Sequence, residues 1–374
     1  MRTLVAVLTI AGCAAPDQPP PRGPTSPPVG PVSVVEPDAV VEPDAAPVDA
    51  APVAVSPELW LRGTTHVHAK PSGDSTTPIP EVIAYYETRG YDFIAITDHN
   101  RISEIDGASN TAGSPAVKNP ASGLIVLAGI ELTYNPTGCI PAGDASGRCR
   151  IHVNLLGPTQ RFEGKLEWAN RQNDERVEKY QAAIDAQKQL GGVIQLNHPT
   201  WYWGMTADVM AEVARRGVPL VEIWNTQFEK WNAGDQNNLS TEALWDAVLA
   251  RGHTMWGVAS DDAHDYNAPG KYPAGGAWVV VRARRDPQAI LDALARGRFY
   301  SSTGVTLTRA GVEGDELVVE VDGVDHSIDF IENGKLIVRV NGKLARRALP
   351  ANGYVRAVVT RSDGKKAWVQ PARK

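Results

Sequence analysis

Short apolar runs alternate with amphipathic segments along the chain from Trp60 onward. The apolar runs predict strands and the segments between them predict helices, and the clearest are strands 93–96, 124–127, 193–196 and 220–223 and helices 173–190 and 241–251. Strands that are apolar throughout are buried on both sides, which is typical of a parallel sheet covered by helices. Over about 250 residues, this α/β pattern favours a barrel.

After Gly304 the pattern changes to strands without helices. Runs at 317–321, 327–331, 335–340 and 355–359 are separated by turn signals such as Asn341-Gly342. We therefore expect a barrel over residues 58–305 and a small C-terminal antiparallel β module over residues 306–374.

The first 57 residues predict a leader and a spacer. One basic residue, Arg2, precedes an apolar run that is shorter than the roughly 20 residues needed to span a bilayer, as in a signal peptide. Ile10-Ala11-Gly12-Cys13 resembles a bacterial lipobox, which implies lipidation of Cys13. Residues 14–57 hold 13 of the 28 prolines, so they predict a disordered tether. We expect residues 1–13 to be a lipoprotein signal peptide and the protein to be exported and lipid-anchored, at the outer membrane or on the periplasmic face.

The charge balance limits the partners. The chain has a formal net charge of -6, but the acidic tether carries most of it and residues 58–374 are nearly neutral. A dedicated nucleic-acid binder usually needs a basic face, so nucleic acid is not expected as a partner. We expect a small-molecule substrate, and membrane contact through the lipid anchor only.

Two of the three cysteines flank a short loop. Cys139 and Cys149 enclose a segment rich in Gly, Pro and Asp. In an exported protein such a pair favours a disulfide over a metal pair.

Six of the eight histidines lie at or just beyond the end of a predicted strand, together with three acidic residues. The nine residues are His66, His68, Asp74, His99, Glu131, His152, His198, Asp262 and His264. Active sites of parallel barrels lie at the carboxyl ends of the strands. Imidazoles with carboxylates suit zinc, iron or manganese, and nine ligands are too many for one ion. Two or three divalent metal ions are predicted, whereas His253 and His326 are expected to be surface residues.

These motifs resemble the PHP (polymerase and histidinol phosphatase) superfamily. His66-Val67-His68, Asp98-His99, Gly129-Ile130-Glu131, Asn197-His198-Pro199 and Asp262-Ala263-His264 occur in the order of that family. The segment 297–304 and the β tail also resemble the branch that contains carbaryl hydrolases. The resemblance implies a distorted (β/α)7 barrel and a metal-dependent hydrolase.

The resemblance also implies a ligand set for each ion. His66, His68, Glu131 and Asp262 would hold one ion, and Glu131 would bridge to a second ion that His152 and His198 also bind. Asp74, His99 and His264 would hold a third, although Asp74 also fits a turn or helix cap. Asp98 is expected to support the strand end, and Asp261 is an alternative to Asp262.

The implied activity is that of a phosphoesterase, either a phosphatase or a phosphodiesterase. Clustered metals lower the pKa of a bridging water, and the resulting hydroxide makes a protein nucleophile unnecessary. The same hydroxide would serve a carbamate, ester or amide hydrolase, and an inactive surface binding protein is a third possibility. Substrate contacts are predicted for charged and aromatic residues near the motifs, with solvated loop charge and ordinary packing as the alternatives: Lys70, Arg101, Trp201, Trp203 and Trp224.

Overall fold

The computed structural model describes residues 56–104, 116–118, 123–160, 162, 166–267 and 270–374. The described residues belong to one compact unit, Val55–Lys374. The predicted signal peptide, Cys13 and the predicted tether up to residue 55 lie outside the described residues. Within the described part of the chain, none of the helices has the length and apolar character required to cross a bilayer.

Seventeen strands lie in the described residues. They are β1 Leu59–Val67, β2 Phe93–Ile96, β3 Ala116–Lys118, β4 Ile125–Tyr134, β5 Ile151–Leu156, β6 Val193–Leu196, β7 Leu220–Asn225, β8 Trp256–Ser260, β9 Trp278–Ala283, β10 Phe299–Ser302, β11 Leu307–Glu313, β12 Glu316–Val321, β13 His326–Glu332, β14 Lys335–Asn341, β15 Leu344–Ala348, β16 Val355–Arg361 and β17 Lys366–Ala372.

Six α-helices connect the strands of the described residues. They are α1 Ile79–Glu87, α2 Arg176–Leu190, α3 Ala207–Arg215, α4 Glu229–Ala233, α5 Thr241–Ala250 and α6 Pro287–Ala295. Local chemistry sets their ends: Asp286 caps α6 by accepting a hydrogen bond from the amide of Ala289. The helix predicted from residue 173 begins at Arg176 instead, because the side chain of Asn173 forms a turn with the amide of Glu175 at 2.8 Å.

The large sheet is mixed. Its strands follow the order β14-β13-β16-β17-β10-β9-β1-β2-β4-β5-β6-β7-β8, and β3 pairs with β4. The pairs β1–β2, β2–β4, β6–β7 and β7–β8 are parallel, whereas β5 is antiparallel to both β4 and β6. The α/β class is therefore confirmed, but the expectation of a purely parallel sheet is wrong. No helix separates β4 from β5, and a parallel connection normally needs a helical crossover.

The strand pairs of the large sheet form an open path. No pairing between named strands of the described residues joins β8 back to β1. An isolated parallel bridge links Val67, at the end of β1, to Ala263, just beyond β8. The distorted (β/α)7 barrel is not confirmed by this pairing and stays a prediction.

The C-terminal strands are antiparallel, as predicted. Four of them, β13, β14, β16 and β17, extend the large sheet through the β10–β17 pair. The other three, β11, β12 and β15, form a separate three-stranded antiparallel sheet. The expectation that His326 is a surface residue is wrong, because it begins β13 and is only 8% exposed.

Candidate metal centre

The candidate ligands gather at one edge of the large sheet. His66 lies near the end of β1 and His68 just beyond it, while His99, His198 and the pair Asp262 and His264 follow β2, β6 and β8. Glu131 lies on β4 and His152 on β5. Since β5 runs in the opposite direction, its first residues meet the carboxyl ends of its parallel neighbours. All nine predicted ligands come together at this edge.

The first cluster contains His66, His68, Glu131 and Asp262. The Nε2 atoms of His66 and His68 lie 3.1 and 3.2 Å from Oδ1 of Asp262. The same two nitrogens lie 3.4 and 3.6 Å from the carboxylate of Glu131. Alternate residues of a strand project to one side, which explains why both imidazoles of the His-x-His motif point into the site.

The second cluster shares Glu131 with the first. Oε1 of Glu131 lies 3.1 Å from Nδ1 of His152 and 3.6 Å from Nε2 of His198. The amide of Asn197 donates to the same oxygen at 3.0 Å. These three candidate ligands are buried, so this part of the site is much less exposed than the third cluster.

The third cluster is the most exposed. Oδ2 of Asp74 lies 2.8 Å from Nε2 of His99 and 3.2 Å from Nε2 of His264. His68 belongs to this cluster as well as to the first. The side chains of Asp74 and His99 are 46% and 23% exposed, so this cluster opens toward solvent.

The donor set fits divalent cations. The Nε2 atoms of His66 and His68 are buried and, although Oδ1 of Asp262 lies 3.1 and 3.2 Å away, neither makes a well-aligned hydrogen bond among the described residues. Buried polar atoms normally have a partner, so these two point to a ligand that they bind. Two ligand atoms on one ion with bonds of about 2.1 Å lie about 3 to 3.4 Å apart at octahedral or tetrahedral angles. The distances in the first cluster lie close to this range.

The charges within the site oppose one another. Burial alone would lower the pKa of His66, but Asp262, Glu222 and Glu131 raise it well above its ordinary value. Burial and the neighbouring His264 and His99 lower the pKa of His68 to about 3. Buried carboxylates that raise the pKa of a neighbouring imidazole also favour a bound cation, and metal binding would displace the proton.

Glu222 is a functional residue that the sequence analysis missed. This carboxylate on β7 is fully buried and accepts from Nδ1 of His66 at 2.7 Å and from the backbone amide of His198 at 2.6 Å. The hydroxyl of Ser260 donates to it at 2.5 Å. It thereby orients two candidate ligands from behind, as carboxylates do in many metal sites. The sequence feature that could have indicated this role was the single acidic residue inside the otherwise apolar strand 220–223.

Asp98 and Asp261 lie behind the ligands. Asp98 accepts from the amide of Ala69 at 2.8 Å and from the hydroxyl of Ser103 at 2.5 Å. Asp261 accepts from the amides of Gly275 and Ala277, each at 2.7 Å. Burial raises the pKa of each of these two carboxyls to about 6. Asp261 is used in holding the loop before β9, and Asp262 is the member of the pair that faces the histidines.

Left-handed backbone conformations occur at the site. His198 and Asp262 have φ angles of 23° and 49°, and Asn100, next to His99, has a φ angle of 53°. Such conformations are unfavourable for residues other than glycine and often mark functional sites. Here they let the chain turn directly after a strand, so that the side chain returns to the cluster.

A cavity of about 140 Å³ lies over the clusters. Seven of the nine candidate ligands, all except His66 and His68, line it together with Trp201, Gln227, Phe228 and Tyr272. Trp201 contacts the imidazoles of His152 and His198, with ring centroids 5.6 and 5.2 Å apart. Part of the cavity wall is therefore aromatic.

Of the predicted substrate contacts, the structure brings only Trp201 to the cavity. Trp224 packs against Trp368, and Trp203 lies nearest to Trp231 among the aromatic rings, with centroids 5.7 and 6.5 Å apart. Lys70 and Arg101 do not line the cavity. Lys70 is exposed, and Arg101 donates to the carbonyl of Pro71.

A disulfide joins Cys139 and Cys149, with Cα atoms 5.9 Å apart. It closes the loop between β4 and β5, next to the strand that carries His152. Both sulfurs lie in the buried core beside α2.

Comparison with known proteins gives distant structural neighbours. No model of a known protein family matches the chain, and no curated protein matches it. A two-domain protein from Bacteroides vulgatus that contains a predicted PHP-like metal-dependent phosphoesterase aligns with 84% of this chain and 96% of its own, at 14% identity and a TM-score of 0.43. A proposed metal-dependent phosphoesterase from Bifidobacterium adolescentis aligns with 63% of this chain and 96% of its own, at 14% identity and a TM-score of 0.34. Because both TM-scores are below 0.5, we base the functional proposal on the side chains of the site.

Proposed function

We propose that this protein is a metal-dependent phosphoesterase, either a phosphatase or a phosphodiesterase, that uses two or three divalent ions. One observation carries the proposal: three groups of ligand atoms adjoin one another and share His68 and Glu131. Zinc, manganese and iron all suit this set of imidazoles and carboxylates. When bound, such ions supply a hydroxide nucleophile at neutral pH and neutralise charge on the substrate oxygens.

The residues of the chain position the reaction in this proposal. Glu131 lies between the first two clusters, with Oε1 facing His152 and His198 and Oε2 facing His68 and His99. Glu222 accepts from His66 and the amide of Asn197 donates to Glu131, so each of these two candidate ligands is held in place by a hydrogen bond. Burial of the first two clusters keeps bulk water away from the reacting centre and strengthens its electrostatics.

The third cluster favours phosphate over a carbonyl substrate. A transferred phosphoryl group spreads negative charge over three oxygens, whereas attack on a carbonyl develops charge on one. In this proposal Asp74, His99 and His264 would hold a further cation on the exposed side, where it would meet the substrate oxygens. A carbonyl substrate has less use for it.

A matched assay tests the proposal. The purified full chain is loaded with manganese or zinc and given a chromogenic aryl phosphate, a bis(aryl) phosphate and an aryl N-methylcarbamate. We expect metal-dependent cleavage of a phosphate ester, lost in His99→Ala. His253→Ala removes an imidazole outside the clusters and should keep full activity. Cleavage of the carbamate alone would contradict the proposal.

A carbamate, ester or amide hydrolase is the second candidate. The aromatic part of the cavity wall, formed by Trp201, Phe228 and Tyr272, favours it, because these rings suit an aryl leaving group. The same rings also suit an aryl or nucleoside phosphate. The assay above separates the two candidates, since both use the same metals but only one cleaves each substrate.

We also propose that the protein is exported and held to a bacterial membrane by a lipid on Cys13. The disulfide between Cys139 and Cys149 supports an oxidising compartment. Cys13→Ser should move the protein from the membrane fraction to the soluble fraction. Retention of that variant in the membrane fraction would contradict the proposal.

A further inference from the structure

The loop between the two cysteines, which we call the rim loop (residues 139–150), packs on the turn that carries Trp201. The amide of Asp144 donates to the carbonyl of Tyr202 at 2.8 Å. A Cβ atom on Gly143 would lie 2.2 Å from that same carbonyl oxygen, so only glycine allows this approach. The disulfide closes the loop across its base. The rim loop and the Trp201 turn are therefore held together at one side of the cavity.

Two arginines of the rim loop gather on the aromatic rings of this turn. The guanidinium carbons of Arg148 and Arg150 lie 5.3 and 5.0 Å from the centroid of the Tyr202 ring. Arg150 also lies 5.2 Å from the centroid of Trp201. These cation–π contacts hold both guanidinium groups in place on the rim.

Neither guanidinium has a carboxylate partner among the described residues. The groups that lie around Arg150 are the rings of Trp201 and Tyr202 and the second arginine, Arg148, which lies on the same tyrosine ring. Asp144, the one carboxylate of the rim loop, accepts from Ser146 instead. Two like charges side by side are unfavourable unless an anion joins them.

Arg150 does not itself line the cavity but lies against Trp201, which does. It precedes β5 and lies two residues before His152, and alternate residues of an extended strand project to the same side, about 6.6 Å apart along the strand. Trp201 contacts both residues, which confirms that they share this side. Nη1 of Arg150 donates to the carbonyl of Cys149, and a guanidinium has five N–H donors, so others are available to a ligand.

The size of the cavity decides what reaches this rim. A volume of about 140 Å³ is roughly half the lower limit for pockets that enclose drug-sized ligands. Bound ions and a phosphoryl group would leave little of this volume free, so a leaving group would have to extend out of the cavity. On the side of Trp201 it would approach the guanidinium of Arg150, which lies 5.2 Å from the centroid of that ring.

We infer that Arg150 is a specificity-determining residue that binds a second anionic group on the leaving-group side of the substrate. The substrate class is then a phosphate ester whose leaving group is planar and carries a carboxylate or a further phosphate. Arg148 supports this role by packing on the same tyrosine and donating to its hydroxyl at 2.7 Å. The inference rests on the proposed phosphoesterase function and adds the substrate class to it.

Ligand binding tests the inference without turnover. Calorimetric titration of the manganese-loaded full chain compares 4-carboxyphenylphosphonate with the neutral 4-carbamoylphenylphosphonate, which has the same size. We expect the carboxylate to bind about 10-fold more tightly, the low end for a hydrogen bond to a charged group because the rim is partly exposed. Arg150→Ala should remove this preference and Arg150→Lys should keep part of it. Arg339→Ala, which removes a cation on β14, should keep the whole preference.

The outcomes separate the inference from the function on which it rests. Equal binding of the two ligands to the wild type, or a preference that survives in Arg150→Ala, overturns the role of Arg150 while phosphonate binding still supports the phosphoesterase. Failure of both ligands to bind the loaded protein counts against the phosphoesterase and the inference together.

Discussion

Replacing Glu222 with glutamine should weaken metal binding although this residue does not face the cavity. Its carboxylate accepts from His66 at 2.7 Å, from the amide of His198 at 2.6 Å, from Ser260 at 2.5 Å and from Asn225 at 3.0 Å. Glutamine has nearly the same shape but presents an NH₂ group to at least one of these donors. Loss of such a carboxylate behind a ligand typically costs 10–100-fold in metal affinity, or about 1.4 to 2.7 kcal/mol.

The same substitution should also destabilise the metal-free fold. A buried donor that faces an NH₂ group loses its partner, which costs about 1 to 3 kcal/mol. Competition with a fluorescent zinc chelator measures the first effect and urea unfolding of the metal-free chain measures the second. Glu178→Gln is the matched control, because Glu178 pairs with Arg216 on the surface, 2.9 Å away. Zinc affinity within twofold of the wild type would refute the assignment of Glu222 as an orienting residue.

Three further predictions concern protons, an ion pair and the disulfide. Burial would lower the pKa of His99, but the neighbouring carboxylates outweigh it and raise the pKa to about 10. Metal binding at pH 7 should therefore release protons, and metal affinity should fall as the pH falls. Calorimetry in buffers of different ionisation enthalpy measures the number of protons released. In the wild type, Nε of the buried Arg356 lies 2.7 Å from Oδ1 of Asp246. Arg356→Met removes this partner and should lower the free energy of unfolding, measured in urea, by about 3 kcal/mol. The double variant with Asp246→Leu should recover part of that loss. Replacing Cys139 and Cys149 with serine opens a loop of sequence separation 10 and should lower the free energy of unfolding by about 2 to 3 kcal/mol.

The candidate ligands could be predicted from the sequence because their positions follow a local rule. A polar residue that ends an apolar strand lies at the edge of the sheet, and the edges of neighbouring strands coincide. His66, His99 and His198 obey this rule at the ends of β1, β2 and β6. Their convergence therefore needed no knowledge of side-chain contacts.

The reversed strand β5 shows where local patterning fails. Apolar runs predict that a segment is buried, but not the direction in which it pairs with its neighbours. The loop between β4 and β5 contains a disulfide and no helix, and β5 returns antiparallel to β4. This reversal puts the first residues of β5 at the edge that carries the candidate ligands, which is why His152 lines the cavity and Arg150, two residues earlier, lies against Trp201.

The sequence by itself determined the alternation of strands and helices, the antiparallel strands after Gly304, and the nine residues that form the candidate metal centre. These features depend on local periodicity and on residue chemistry. Only the tertiary structure decided that Glu222 supports His66 across 156 residues of sequence, that Trp224 packs away from the cavity, and that Arg150 stands beside Trp201. Such contacts depend on which distant segments pack together, and the free energy of that packing is spread over the whole core rather than encoded at any one position.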